Sequence, residues 1–241
     1  MLKKVFTVVW FYNNHDFADK FIENCTNLEK YGWYWKIFTH LDLKSKGNVE
    51  IIPMSFYEYR DLANKKLNIN CHWELVEKGI KATRDITDFS PAYGIIFDKW
   101  LANSDFWGYT NFDVVNGRLD KFVSDEFLKD CDVFGNDPDA LCGPFSLYRN
   151  NELVNNLFRE VPQWKDMFES KDGYFNFVED KLTQVVRTLN KTGKIRFKSA
   201  FWQSHGYNPK LRYIDGSLYD DLKKGEEIMM FHANREKKWP L

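Results

Sequence analysis

Asp105-Phe106-Trp107-Gly108-Tyr109-Thr110-Asn111-Phe112-Asp113-Val114-Val115-Asn116-Gly117 is the stretch whose reading decides the fold. Phe106–Thr110 is apolar and aromatic, as expected of a central strand. The strand ends at two polar side chains, Asn111 and Asp113, and Asn116-Gly117 reads as a turn. In open α/β sheets, ligands collect at the carboxyl ends of the strands. Alternation along an extended segment points residues 111 and 113 the same way and turns Phe112 into the packing. Two oxygen-bearing side chains then face a cleft. A hard divalent cation, Mg²⁺ or Mn²⁺, takes such oxygens together with water and substrate phosphates. Held there, it can bridge a nucleotide diphosphate and neutralise the charge that grows on a leaving group. By itself, an acid at a strand end is more often a solvated loop carboxylate.

The flanking sequence supplies the rest of an α/β sheet. Upstream, Ser90-Pro91 offers a capping hydroxyl and a proline at the first helical position. Tyr93, Ile96, Phe97, Trp100 and Leu101 continue that helix as one apolar stripe. Val5–Tyr12 is a continuous apolar run, as in a strand buried on both faces. Phe17, Ala18, Phe21, Ile22, Cys25 and Leu28 recur at helical spacing, and Tyr31-Gly32 supplies the stop. With Tyr34–Thr39 as the next strand, this is a strand–helix–strand unit of a parallel sheet. Val49–Ile52 is a third strand, and Ser55-Phe56-Tyr57-Glu58 fits a capping box. Residues 68–87 show no clean period.

Downstream, Leu119–Leu128 reads as a helix, and Asp132–Phe134 and Pro144–Arg149 as strands. Helices are expected at 151–159, 163–170 and 176–190, and late strands at Lys194–Phe197 and Glu227–Phe231. With no internal repeat or linker, one α/β domain is the economical architecture.

Composition narrows the function. The 34 Lys+Arg balance 35 Asp+Glu, so no broad basic field exists to hold a nucleic-acid backbone. The densest basic run, Arg235-Glu236-Lys237-Lys238, reads by itself as a solvated end. Cys25, Cys71, Cys131 and Cys142 form no CxxC or zinc-type spacing and fit free thiols in a reducing compartment. The N-terminal apolar run is too short for a membrane span and lacks a small-residue cleavage site. The expectation is a cytoplasmic protein. The aromatic share of 17% exceeds what a core needs: the surplus either spills onto the surface or lines a sugar site, where flat rings meet pyranose C–H faces. No P-loop, GxGxxG, HExxH or GxSxG signature is present.

Three segments carry a family resemblance: Asp88-Phe89-Ser90-Pro91-Ala92-Tyr93-Gly94, Phe106 to Asp113, and Phe145-Ser146-Leu147-Tyr148-Arg149-Asn150. Together they resemble small GT-A glycosyltransferases of bacterial polysaccharide gene clusters and of large algal DNA viruses that glycosylate their own capsids. The similarity runs from about residue 5 to residue 235, and its middle block is the specific part. It implies a GT-A-type, Rossmann-like, mostly parallel sheet flanked by helices, in a single domain. The nucleotide-binding part would span about residues 1–117 and the acceptor-side part about 118–241. The implied activity is transfer of a sugar from a nucleotide-diphosphate donor, UDP-linked in many relatives of the fold, to a glycan or glycoprotein hydroxyl. A virus-encoded enzyme would act in the host cytoplasm.

The resemblance also implies roles for single residues. The family's DxD metal motif falls on Asn111 and Asp113. Asn stands where Asp is more usual, which removes one negative charge and leaves a metal-independent route open. Thr39 and Asp42 fall where such folds hold base and ribose, although they also read as a strand end and a turn. Asp88 matches a nucleotide contact, or else an anion favourable beside a helix N-terminus. The family often has Lys in place of Ser90. Met229 to Arg235 resembles a closing strand from which His232 reaches the metal or diphosphate, with His205 in reserve. Arg235 and Lys237 would pair with phosphate oxygens. Glu179-Asp180 lies where the acceptor's general base is often placed, and Glu179 fits that role first. Both carboxylates also suit a helix N-terminus, and a retaining enzyme would not need the base. Two rivals remain: a carbohydrate-binding module without chemistry, and a nucleotidyltransferase or nucleotide-sugar hydrolase using the same cleft.

Overall fold

Strand β1 (Lys4–Trp10) is the organising element of the chain, pairing in parallel with β2 (Trp33–Thr39) on one side and β4 (Phe106–Thr110) on the other. The computed structural model describes residues 1–11, 17–71, 86–170, 175–205 and 210–233. Among them, the central sheet has seven strands in the order β3-β2-β1-β4-β7-β6-β8. Its remaining strands are β3 (Val49–Pro53), β6 (Val133–Gly135), β7 (Phe145–Arg149) and β8 (Phe197–Ser199). Only β7 runs against its neighbours, β4 and β6.

The chain steps outward from β1 through β2 to β3, then returns to lay β4 on the opposite side of β1. That reversal makes the carboxyl ends of β1 and β4 a topological switch point, where an open α/β sheet leaves a crevice.

Apolar side chains alternate between two cores, one on each sheet face. On one face lie Val5, Phe38, Trp107, Tyr109 and Tyr148, covered by α2 (Phe56–Leu67), α3 (Tyr93–Ile96), α7 (Glu152–Asn155), α8 (Trp164–Glu169) and α9 (Thr183–Lys191). Between α3 and α7 the chain also forms α4 (Asp98–Leu101), α5 (Leu119–Phe122) and α6 (Asp125–Lys129). The other face carries Phe6, Trp33, Trp35, Phe106 and Leu147 beneath α1 (Ala18–Thr26), α5 and α6. Gly108 allows the close approach at mid-sheet: a Cβ there would strike the Ser146 carbonyl, Phe6 and Leu147. Most of the aromatic surplus is therefore core.

The Ser55–Glu58 capping box forms, with Ser55 N–H donating to Glu58 at 2.7 Å and Glu58 N–H to Ser55 Oγ at 3.2 Å. Several other expectations need correction. The helix expected from Ser90 to Leu101 is a 3₁₀ turn, Ser90–Ala92, followed by α3 and α4. Ser90 donates its hydroxyl back to the Thr87 carbonyl instead of capping, and the helical path breaks where Phe97 stacks on Phe38 at 3.8 Å. Residues 119–128 also divide, because Ser124 caps α6 by accepting from Phe127 N–H.

Asn116 belongs to strand β5 (Val114–Asn116), not to a turn. The late strand expected at Glu227–Phe231 is two strands, β12 (Glu226–Ile228) and β13 (Met230–His232), in different small sheets. Three unforeseen strands, β9 (Gln203–His205), β10 (Leu211–Ile214) and β11 (Ser217–Asp220), complete those sheets, β5-β13-β9 and β10-β11-β12. All four cysteines are buried free thiols, and burial pushes Cys131 and Cys142 up to about 12. Among the described residues, no helix is long and apolar enough to cross a membrane.

Candidate active site

The carboxyl end of β4 is built so that one aromatic goes inward and two polar side chains stay out. Phe112 is buried between the rings of Trp10 and Phe21, at 4.7 and 5.2 Å, while Asn111 and Asp113 remain partly exposed. β5 is then gripped from two sides. On one, Asn24 of α1 accepts from Asn116 N–H at 2.8 Å and donates to the Asn116 carbonyl at 2.9 Å. On the other, β13 pairs antiparallel with β5, Val114 opposite His232, and Ala233 N–H donates to the Asp113 carbonyl.

This register carries the His232 imidazole to Asp113, with Nε2 3.4 Å from Oδ2. Adjacent ligands on a six-coordinate cation stand roughly 3 Å apart when metal–ligand bonds are about 2.1 Å. The spacing and the donor types therefore fit a shared divalent ion, with Asn111 just past the end of β4, two residues before Asp113. Among the described residues, no group of three or more His, Cys, Asp or Glu side chains converges in that way.

Glu179 reaches the same sheet edge from another direction. It sits on a π-helical turn, Phe177–Leu182, leading into α9. Thr183 ties this turn down: its hydroxyl donates to the Val178 carbonyl at 3.1 Å and accepts from Leu141 N–H at 3.0 Å. The Glu179 carboxylate lies against Gly143, so close that a Cβ on Gly143 would overlap Oε1. Because β7 is antiparallel to β4, Gly143, just ahead of β7, lies at the edge where β4 ends, Phe145 facing Thr110. Below, the buried Tyr109 and Tyr148 hydroxyls meet at 3.1 Å. Burial pushes both phenols well up, and the nearby Glu179 charge adds to the rise.

Asp180 turns to the surface, 2.9 Å from Lys181 and accepting from Gln184 at 2.7 Å; Lys181 holds its carboxyl below the usual range. Thr39 is buried at the carboxyl end of β2, its Oγ1 accepting from Leu41 N–H at 3.1 Å, with Asp42 exposed in the loop beyond. Both lie on the crevice side of the sheet, two strands from β4. Asp88 is buried and accepts from the N–H groups of Phe175 and Phe177, at 2.9 and 3.0 Å; burial raises its pKa in spite of those bonds. β9 sets the His205 backbone beside His232, while the His205 side chain, Arg235 and Lys237 lie outside the described residues.

The structure thus brings Asn111, Asp113, His232 and Glu179 to one edge. It adds Gly143, which sequence reading missed although a Gly-Pro pair directly before a strand marks a place where backbone is approached closely.

These features define an open, mostly parallel α/β sheet with an acid–imidazole pair at its switch-point crevice. The chain belongs to a family of unknown function, DUF6625, whose model matches residues 6–237. Among solved structures, it is similar to the galactosyltransferase LgtC in complex with donor and acceptor sugar analogs. Identity there is 11%, covering 98% of this chain and 88% of that one, at a TM-score of 0.48. It is also similar to a glycosyltransferase involved in glycosylation of the major capsid of PBCV-1, at 9% identity, 98% and 94% coverage and a TM-score of 0.46. A third likeness is to the glycosyltransferase GlyE of Streptococcus pneumoniae TIGR4, at 13% identity, 83% and 45% coverage and a TM-score of 0.38. No curated protein matches the chain. Overlaps of this size concern outline only and leave the site's chemistry to its own residues.

Proposed function

We propose that the chain is a glycosyltransferase moving a sugar from a nucleotide-diphosphate donor, UDP-linked, to a hydroxyl of a glycan or glycoprotein. The observation that carries this reading is the pairing of Asp113 with His232 at the switch-point crevice, with Glu179 at the same edge.

Asp113, His232 and the Asn111 carbonyl would hold a divalent cation, whose chemistry is to neutralise the donor's diphosphate as negative charge grows on it. An imidazole in the set favours Mn²⁺ over Mg²⁺, which prefers oxygen alone. Thr39 and Asp42 take the base and ribose, and Arg235 and Lys237 the phosphate oxygens. Residues 1–117 then serve the donor and 118–241 the acceptor. Glu179 removes the acceptor's proton as its oxygen attacks the anomeric carbon from the face opposite the leaving group, inverting the configuration. The free thiols suit a cytoplasmic site of action.

The test is a thermal-shift panel of nucleotide sugars with and without Mn²⁺, followed by product analysis. A ligand that binds only the folded chain raises its apparent stability by mass action. We expect stabilisation by one nucleotide class, nucleoside diphosphate as product, and loss of turnover in Asp113→Ala with the fold intact. Release of pyrophosphate would mean nucleotidyl transfer, and sugar binding indifferent to nucleotide and metal would mean a binding module. Either result refutes the proposal.

A further inference from the structure

We infer that Asp88 is a positioning residue: it anchors the π-helical turn that presents Glu179 and so sets the geometry of proton removal without touching either substrate. The inference rests on the reading of Glu179 as the base. Asp88 is 4% exposed, and each carboxylate oxygen is used on the backbone. Oδ2 accepts from Phe175 N–H and Oδ1 from Phe177 N–H, the amides that lead into the turn. Donors at a helix start have no partner within the helix, and here a side chain almost ninety positions away satisfies the first of them, Phe177 N–H, together with the Phe175 N–H just ahead of the cap.

The turn needs such an anchor. π-helical geometry is uncommon and clusters at functional sites. The preceding residue, Asn176, lies in the left-handed region at φ 51°, which asparagine adopts more readily than most residues and which turns the chain into the helix. Asp88 clamps the turn at its start and Thr183 at its end, through the Val178 carbonyl and Leu141 N–H. Glu179 lies between the clamps with its carboxylate over Gly143. A buried carboxylate is costly unless it is hydrogen-bonded, and both bonds that offset the cost here go to the entry of the turn. What these two bonds determine is where Glu179 points. A base misplaced by about 1 Å can lose about 100-fold in rate.

Asp88→Asn keeps the shape but turns an amide donor toward one of the two N–H groups. Wild type, Asp88→Asn, Glu179→Gln and the double variant are compared in two measurements. One is nucleoside diphosphate release from a pool of UDP-glucose, UDP-galactose, UDP-N-acetylglucosamine and GDP-mannose with Mn²⁺ and mixed glycan acceptors. The other is amide hydrogen exchange over 175–182.

We expect Asp88→Asn to lower kcat roughly 10- to 100-fold with half-saturation by donor changed less than about 3-fold. Exchange over 175–182 should quicken, and the double variant should be no slower than Glu179→Gln alone. Multiplying losses in the double variant, or weaker donor saturation with intact kcat, would overturn the inference. Asp88→Glu, which keeps two acceptor oxygens, takes its place if Asn prevents folding. If Glu179→Gln turns over like wild type, the base assignment fails. If wild type releases no diphosphate, the glycosyltransferase reading fails. In both cases amide exchange, which needs no substrate, still decides whether Asp88 holds the turn, and unchanged protection refutes that.

Discussion

The Glu179 carboxylate rests on the bare Cα of Gly143: a methyl group there would occupy the place of Oε1. The obstructed atom ends a flexible side chain, so a Cβ displaces the carboxylate instead of breaking the fold. Gly143→Ala should therefore keep stability within about 0.5 kcal/mol and lower kcat about 10-fold or more through misplacement. Denaturant melts and steady-state kinetics check this, and a destabilised variant with normal turnover contradicts it.

Asp113 and His232 give a readout that needs no substrate. Millimolar Mn²⁺ should raise the melting temperature of wild type through mass action, and Asp113→Ala or His232→Ala should abolish the rise. Equal shifts in all three proteins would place any ion elsewhere.

Gly94 faces the buried indole of Trp107, and a Cβ would come within 2.6 Å of the ring. The indole cannot step aside: it stacks on Tyr148 at 4.6 Å and donates Nε1–H to Asn155 at 2.6 Å. Gly94→Ala should cost about 2 kcal/mol by overpacking, despite the better helix propensity of Ala. The midpoint of urea unfolding measures it.

Asp132 ties β6, β7 and β8 together, accepting from Arg196 N–H, Arg196 Nε and Nη2, and Arg149 Nε. The Arg196 guanidinium, first among these, holds its carboxyl below the usual range. Its folded pKa thus lies below the unfolded value of about 3.9. The stabilisation is complete above that value and disappears as pH falls through the folded pKa. Asp132→Asn should cost about 2 kcal/mol at neutral pH, with wild type and variant converging as pH drops below about 4. A gap that stays constant with pH would contradict this.

Long, strongly patterned elements were legible from sequence. β1, β2 and β4 announce themselves as continuous apolar runs, and the Ser55–Glu58 box is wholly local. β9, β10 and β11 were not, because they are three or four residues long with no sustained apolar run, and no residue of β10 is buried. The break falls at Phe97, which stacks on Phe38 across the core, a contact that no local pattern reports. At the site, Asn111 and Asp113 could be read from where an apolar strand stops. The role of His232 came only from the family resemblance, since its approach to Asp113 depends on the register of β13 against β5. The bonds from Asp88 to residues 175 and 177 have no sequence signal at all.

The pairing of β5 with β13 also dictates when the site comes into being. Contacts between residues far apart in sequence form late, because a long loop must close first. A folding intermediate could complete the seven-stranded sheet and the core on the α2 face while the imidazole was still absent from Asp113, because Met229 and Met230, beside and within β13, belong to the other core. Such a species would be compact yet inert, so recovery of activity on refolding should lag behind recovery of tryptophan burial.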